Sequence, residues 1–161
     1  MMPEYAADDG PAWYLARIAL AQRDTAAALD MVSIVTRRDE TAWEANRLEA
    51  ALREAKGDRA GAMAALERLL WIWPYDEEVH KRLATLAAAQ GDRALAVRER
   101  QAVIALRPTD LLDARYELAR ALAAAGDVAA ARRELLAVLE EAPGFERAQT
   151  LLLELRRGGG R

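Results

Sequence analysis

Residues 118–143 read LARALAAAGDVAAARRELLAVLEEAP. Leu118, Ala119 and Leu122 sit one helical turn apart and share a face. Gly126 supplies the permissive backbone that ends such a helix. Asp127 follows directly and is suited to cap a second helix, because its carboxylate accepts from free N–H groups. Ala131, Leu135, Val138 and Leu139 form one face of that second helix, and Pro143 stops it. The stretch reads as helix, tight turn, helix, stop.

The same grammar recurs upstream. Gly-Asp stands at Gly57-Asp58, Gly91-Asp92 and Gly126-Asp127, with spacings of 34 and 35. Pro74, Pro108 and Pro143 keep those spacings, as do Ala62, Ala96 and Ala131. One step earlier Arg23-Asp24 replaces Gly-Asp, Ala28 fits the alanine position, and Glu40 replaces the proline. The chain therefore reads as four repeats, 9–42, 43–76, 77–111 and 112–145. One helix pair cannot bury its apolar faces alone, so the repeats must stack. The small alanines let helix backbones approach closely.

Composition excludes most alternatives. The chain has 161 residues, no cysteine, one histidine and a formal charge of −3. Thirty-eight alanines and a single Phe argue for helices and against a β sandwich or barrel. Without cysteine there is no disulfide frame, thiol nucleophile or Cys-type zinc site. His80 alone cannot form a two-histidine motif. The acidic balance disfavours a general nucleic-acid binder. No apolar run is long enough for a membrane span, and the first residues carry no signal-peptide pattern. The Gly-Asp turns lack GxxxxGK[ST] and are not phosphate loops. No carboxylate pair has an activating environment, so no catalysis, metal or cofactor is expected. Abundant Ala and Arg suggest a GC-rich bacterial genome. The absence of cysteine fits both cytoplasm and periplasm, and the cytoplasm is the compartment the reading favours.

With these residues in place, the sequence resembles tetratricopeptide (TPR) repeats, stacked helix pairs with a period of 34. The resemblance covers residues 9–145. The fourth repeat matches best, through Leu118, Ala119, Leu122, Gly126, Asp127, Ala131, Leu135, Val138 and Pro143. The third departs at Arg100, where a large apolar residue is usual. The second has Glu49 in place of Leu, with Leu48 and Leu52 one residue early, as a one-residue insertion before Gly57 would produce. The first keeps Leu15, Ala16, Ile18, Ala19, Ala28 and Val32. The resemblance implies an all-α fold, a right-handed α-solenoid of about four TPR helix pairs plus a C-terminal capping helix. A narrower resemblance is carried by Pro74-Tyr75-Asp76, Val97-Arg98-Glu99-Arg100 and residues 142–149, APGFERAQ, followed by Leu151 to Leu155. It points to the C-terminal repeat region of bacterial gluzincin-type metallopeptidase proteins, without the peptidase motif.

The expected organisation is a flexible arm over 1–8, a TPR domain over 9–145, a capping helix over 146–157 and a disordered tail over 158–161. The capping helix is apolar through Ala148, Leu151, Leu152 and Leu155, with Leu153 left over. A monomer is expected, with end-to-end association open to an incompletely capped array.

In the TPR family the first helix of each pair lines a concave groove. Carried over by position, the groove candidates are Trp13, Tyr14, Arg17, Arg47, Lys81, Arg82, Thr85, Tyr116 and Arg120. Glu78, Asp113 and Glu117 share that surface, so five cations face three carboxylates. Arginine pairs a carboxylate through two parallel N–H groups, which suits an acidic segment. The same charges also fit an ordinary solvated helix face. Of the five positions of a chaperone-type carboxylate clamp only Arg82 matches, while Trp13, Arg17, Arg47 and Glu78 depart. A second candidate patch is Trp71, Trp73 and Tyr75. Exposed aromatics of this kind anchor interfaces, and they equally serve to cover a junction between repeats. His80, near a helix start, reads as a partly exposed or capping side chain. The functional expectation is a non-catalytic scaffold or adaptor binding a peptide or protein segment. The alternative is an accessory TPR domain of a metallopeptidase-type protein that positions substrate or packs on the catalytic domain.

Overall fold

The computed structural model describes residues 10–158. Among them every regular element is a helix. The helices are α1 Pro11–Ala21, α2 Thr25–Arg38, α3 Trp43–Lys56, α4 Arg59–Ile72, α5 Glu77–Gln90, α6 Arg93–Ala105, α7 Leu111–Ala125, α8 Val128–Glu141 and α9 Glu146–Gly158. They form four pairs followed by one further helix, as the TPR resemblance implies. The expected arm over 1–8 lies outside the described residues. So does the expected tail, apart from Gly158, the last residue of α9.

The turns inside the pairs carry the repeat. Gly57, Gly91 and Gly126 adopt φ of 81°, 83° and 90°, and Arg23 adopts 60°. In the turn after α7 the Asp127 N–H donates to Leu122 O at 3.0 Å and the Gly126 N–H to Ala123 O at 3.1 Å. Those two bonds satisfy carbonyls at the end of the helix. Asp24 makes the equivalent bond to Ala19 O at 2.9 Å, so Arg23 occupies a glycine position. Each following Asp then caps the second helix. Asp24, Asp58, Asp92 and Asp127 accept from Ala27, Gly61, Leu95 and Ala130 N–H at 2.9–3.0 Å. A left-handed backbone disfavours any residue with a Cβ. Arg23→Gly is therefore expected to raise stability by about 1 kcal/mol in urea unfolding. An unchanged or lower midpoint would show that the arginine side chain compensates for its backbone.

The chain divides into two compact bodies, one ending at Val79 and one starting at His80. In the first, Ala16, Ala28, Leu29, Val32, Ala45 and Leu52 form a core flanked by Trp13, Met31 and Leu48. Leu15 and Ile18 keep their repeat positions yet are half exposed, at 51% and 52%. The residue matching Leu15 in later repeats is Leu83 or Leu118, both buried. No described helix precedes α1 to cover that side.

Glu49 corrects the sequence reading. It is 3% exposed and lies as far before Gly57 as the buried Leu83 lies before Gly91. No insertion is present: a carboxylate has replaced the leucine. It is held by a converging set of donors. Arg53 Nε and Nη2 donate to Oε1 at 2.9 and 2.7 Å. Thr36 Oγ1 and Arg68 Nη2 donate to Oε2 at 2.9 and 2.5 Å. Arg53 also pairs with Asp58 at 2.6 Å. The Gly61 N–H and then the Arg53 guanidinium hold the Asp58 carboxyl below the usual carboxylate range. A Cβ on Gly61 would run into both of those side chains, which accounts for a glycine inside the first turn of α4.

In the second body, Leu135, Val138, Ala119 and Ala148 pack with Tyr116, Phe145, Leu151 and Leu152. Leu118, Leu122 and Ala131 pack with Val97, Ile104 and Leu155. Helix α9 lies against α7 and α8, and Arg132 Nη2 donates to its Leu155 carbonyl at 2.7 Å. Leu153 is half exposed, at 50%.

One further position repeats. Asn46, His80 and Arg115 each stand eleven residues before a turn glycine. Each makes a polar couple with the second helix of its own pair. Arg68 Nε donates to Asn46 Oδ1 at 2.7 Å, His80 Nδ1 to Glu99 Oε2 at 2.6 Å and Arg115 Nη1 to Glu134 Oε2 at 2.8 Å. His80 is thus buried and paired rather than partly exposed.

Candidate functional site

The first helices of the last two pairs, together with α9, form a continuous surface in the second body. Two cavities open on it and share Arg120. The first, about 380 Å³, lies between α5 and α7 and is lined by Ala84, Thr85, Ala88, Ala96, Arg100, Glu117, Arg120, Ala121 and Ala124. The second, about 370 Å³, lies between α7 and α9. Tyr116, Arg147, Thr150 and Leu151 line it with Arg120, beside Glu146 and Glu154.

The alanines create the first cavity by being small, and three charged side chains give it polarity. Arg120 Nη1 donates to both Glu117 carboxylate oxygens, at 3.0 and 3.1 Å. Arg100 rises from α6. Its Nη2 donates to Thr85 Oγ1 at 3.1 Å and lies 3.6 Å from Glu117 Oε2. Two guanidiniums thus face one carboxylate. Burial lowers the Arg100 pKa, with the Glu117 charge opposing that shift. The second cavity is balanced in charge. Its Arg147 guanidinium stacks 4.8 Å from the Tyr116 ring centroid and pairs with Asp113 at 2.6 Å. Tyr116 leans on Phe145, with ring centroids 5.7 Å apart.

Of the groove candidates, Thr85, Tyr116 and Arg120 come together on this surface. Lys81 and Arg82 lie half-buried on the same α5. In the first body Trp13 packs on the core, Tyr14 and Arg17 are exposed, and Arg47 lies 3.7 Å from Glu44 in an exposed pair. Sequence reasoning missed Arg100, Arg147, Thr150 and Leu151 as surface residues. The signal for Arg100 was present, since a charge stood in an apolar repeat position. Arg147 belongs to α9, where the repeat pattern assigns no groove position.

The second candidate patch is open. Trp71, Trp73 and Tyr75 are 89%, 56% and 65% exposed. Trp73 and Tyr75 meet edge to face, 5.4 Å between centroids. Among the described residues no group of three or more His, Asp or Glu side chains is arranged to hold a metal ion. No described helix is long and apolar enough to cross a membrane.

A chain of paired helices with glycine-type turns at a period of 34 defines a TPR-class protein. The EMC2 TPR-like repeat domain matches residues 28–137, more than half of the chain. The chain belongs to that family. A comparison with curated proteins finds no match. Among solved structures, MamA is similar with a TM-score of 0.72 and 20% identity, over 91% of this chain and 85% of that one. YrrB, described as a TPR protein with an unusual peptide-binding site, is similar with a TM-score of 0.67 and 21% identity, over 86% and 71%. The first TPR of Spaghetti (RPAP3), bound to the HSP90 peptide SRMEEVD, is similar with a TM-score of 0.60 and 16% identity, over 72% and 91%. These likenesses concern the fold.

Proposed function

We propose that this chain is a non-catalytic interaction module that binds an acidic peptide or protein segment along the surface of α5, α7 and α9. The observation that carries the reading is the pair of adjoining cavities joined at Arg120, with the excess positive charge at the α5–α7 end. An extended segment presents side chains at intervals and would place one in each cavity. Lys81, Arg82, Thr85 and Tyr116 are the further contacts proposed here, and Tyr14, Arg17 and Arg47 are those proposed for the first body. The peptide-binding site of YrrB and the peptide bound to RPAP3, as their descriptions give them, support a peptide ligand for this fold.

A peptide-display selection against the wild-type chain, with Arg120→Glu as counter-bait, tests the reading. Sequences rich in Asp and Glu are expected, with binding that weakens as salt rises, because exposed charges are screened within about 8 Å at physiological ionic strength. Enrichment of apolar or basic sequences, or equal capture by Arg120→Glu, would overturn it.

The exposed Trp71, Trp73 and Tyr75 favour a second reading, in which a neighbouring domain of a larger metallopeptidase-type protein packs on that patch. Trp71→Ala with Trp73→Ala would then abolish docking of that domain while leaving peptide selection unchanged.

A further inference from the structure

We propose that Arg100 is the carboxylate-binding residue of this surface: its guanidinium, which lines the alanine-rich cavity between α5 and α7, receives one carboxylate group of the bound segment. The inference rests on the groove reading and specifies which residue does the recognising. Arginine is out of place here as a packing residue. Arg100 stands nine residues after Gly91, where the neighbouring repeats carry Leu66 and Leu135. Both leucines are 0% exposed. The Arg100 side chain is itself only 15% exposed. A guanidinium offers five N–H groups for acceptors. The protein supplies one hydrogen-bond acceptor, Thr85 Oγ1, at 3.1 Å. The nearest carboxylate oxygen, on Glu117, is 3.6 Å away, beyond hydrogen-bond range.

The part-buried guanidinium of Arg53 does better. Arg53 gives Nε and Nη2 to Glu49 and Nη1 to Asp58. Arg115 and Arg132 each keep a buried Nε without a partner, whereas Arg100 has donors left over beside a cavity that it lines. Ala84, Ala88, Ala96, Ala121 and Ala124 leave about 380 Å³ open there. That space takes one carboxylate-bearing side chain, or a chain terminus, with its flanking backbone. Glu117 is committed to Arg120 through two bonds, so an incoming carboxylate meets Arg100 with little to displace. Burial of the guanidinium, which lowers its pKa, further favours an anionic partner over none.

The test uses the full chain and two small probes: N-acetyl-Ala-Glu-Ala amide, with only a side-chain carboxylate, and N-acetyl-Ala-Ala-Ala free acid, with only a terminal one. Side-chain Nε–H resonances of Arg100 and Arg120 and backbone amides of Thr85, Ala88 and Ala121 are followed by NMR titration. Saturable shifts of the Arg100 Nε–H and the Ala88 and Ala121 amides are expected. The probe that saturates at the lower concentration identifies the carboxylate source. Arg100→Leu should weaken that probe about tenfold or more, the loss of a charge-assisted pair of bonds. Arg100→Lys should fall between, since it keeps the charge and loses the planar fork. Glu117→Gln should tighten binding several-fold by removing a negative charge that repels the incoming carboxylate. If shifts centre on Arg120 and Arg100→Leu binds as wild type, Arg100 is not the recognising residue and the groove reading survives. If neither probe shifts Arg100, the proposal is overturned, and the groove reading is then judged by the display selection alone.

Discussion

Glu49→Ala is expected to destabilise the first body by about 3–5 kcal/mol, the range for removing one member of a buried charge cluster. The reason lies in what is left behind. Thr36, at 5% exposure, loses its 2.9 Å acceptor and keeps only the Ser33 carbonyl at 3.5 Å. Arg53 and Arg68 lose the carboxylate that gathers them, and their side chains are only 26% and 30% exposed. Both guanidiniums retain some access to water, which places the effect toward the lower end. Glu49→Leu restores the residue of the later repeats and should cost less, because packing replaces part of the lost interaction. Urea unfolding followed by circular dichroism reads the difference. A loss under about 1 kcal/mol, the range of surface ion pairs, would show that the cluster behaves as a solvated surface pair.

Leu135→Ala is expected to cost about 2–5 kcal/mol, the usual range for a buried leucine. Leu135 is fully buried among Ala119, Val138 and Ala148. Ala119 and Ala148 are too small to fill the space vacated, and any inward shift of Leu151 or Leu152, which pack on the same cluster, would place the loss toward the lower end. The informative control is the same position one repeat earlier. Arg100→Leu should leave stability unchanged or raise it by about 1 kcal/mol, since apolar replacement of a poorly satisfied buried charge is often neutral or favourable. For a chain of this size 1 kcal/mol moves Tm by about 2–4 °C, so a thermal melt separates the two variants. A destabilised Arg100→Leu would mean that the Thr85 bond and the Glu117 attraction hold α5, α6 and α7 together.

Local chemistry made most of the fold legible. The Gly-Asp period locates the turns, the aspartates locate the second helices, and Arg23 stands at the glycine position of the first turn with a φ of 60°. Two side chains were misread, for a shared reason. Glu49 looked like a register error and His80 like a helix-end side chain. Their partners, Thr36, Arg68 and Glu99, lie 13–19 residues away, and a periodic pattern says nothing about polar side chains that meet across a helix pair. The candidate surface was legible only in part. Thr85, Tyr116 and Arg120 follow from the face of the first helices. Arg100 and Arg147 come from α6 and α9, and they were reachable only by asking what a charge does in a slot shaped for leucine.

The polar couples set back from the turn glycines bear on how the array can change in length. The third and fourth repeats pair His80 with Glu99 and Arg115 with Glu134, glutamate occupying the same place in both second helices. A genetic crossover between those two repeats would give a hybrid in which a histidine or arginine still meets a glutamate. A crossover joining α3 to α6 would set Asn46 beside Glu99 and strip Glu49 of Arg68. The reciprocal junction would set His80 opposite Ala65 and leave Arg68 without Glu49. Duplication and loss should therefore disturb these couples least within the second half of the array, and a junction inside the second repeat should disturb them most.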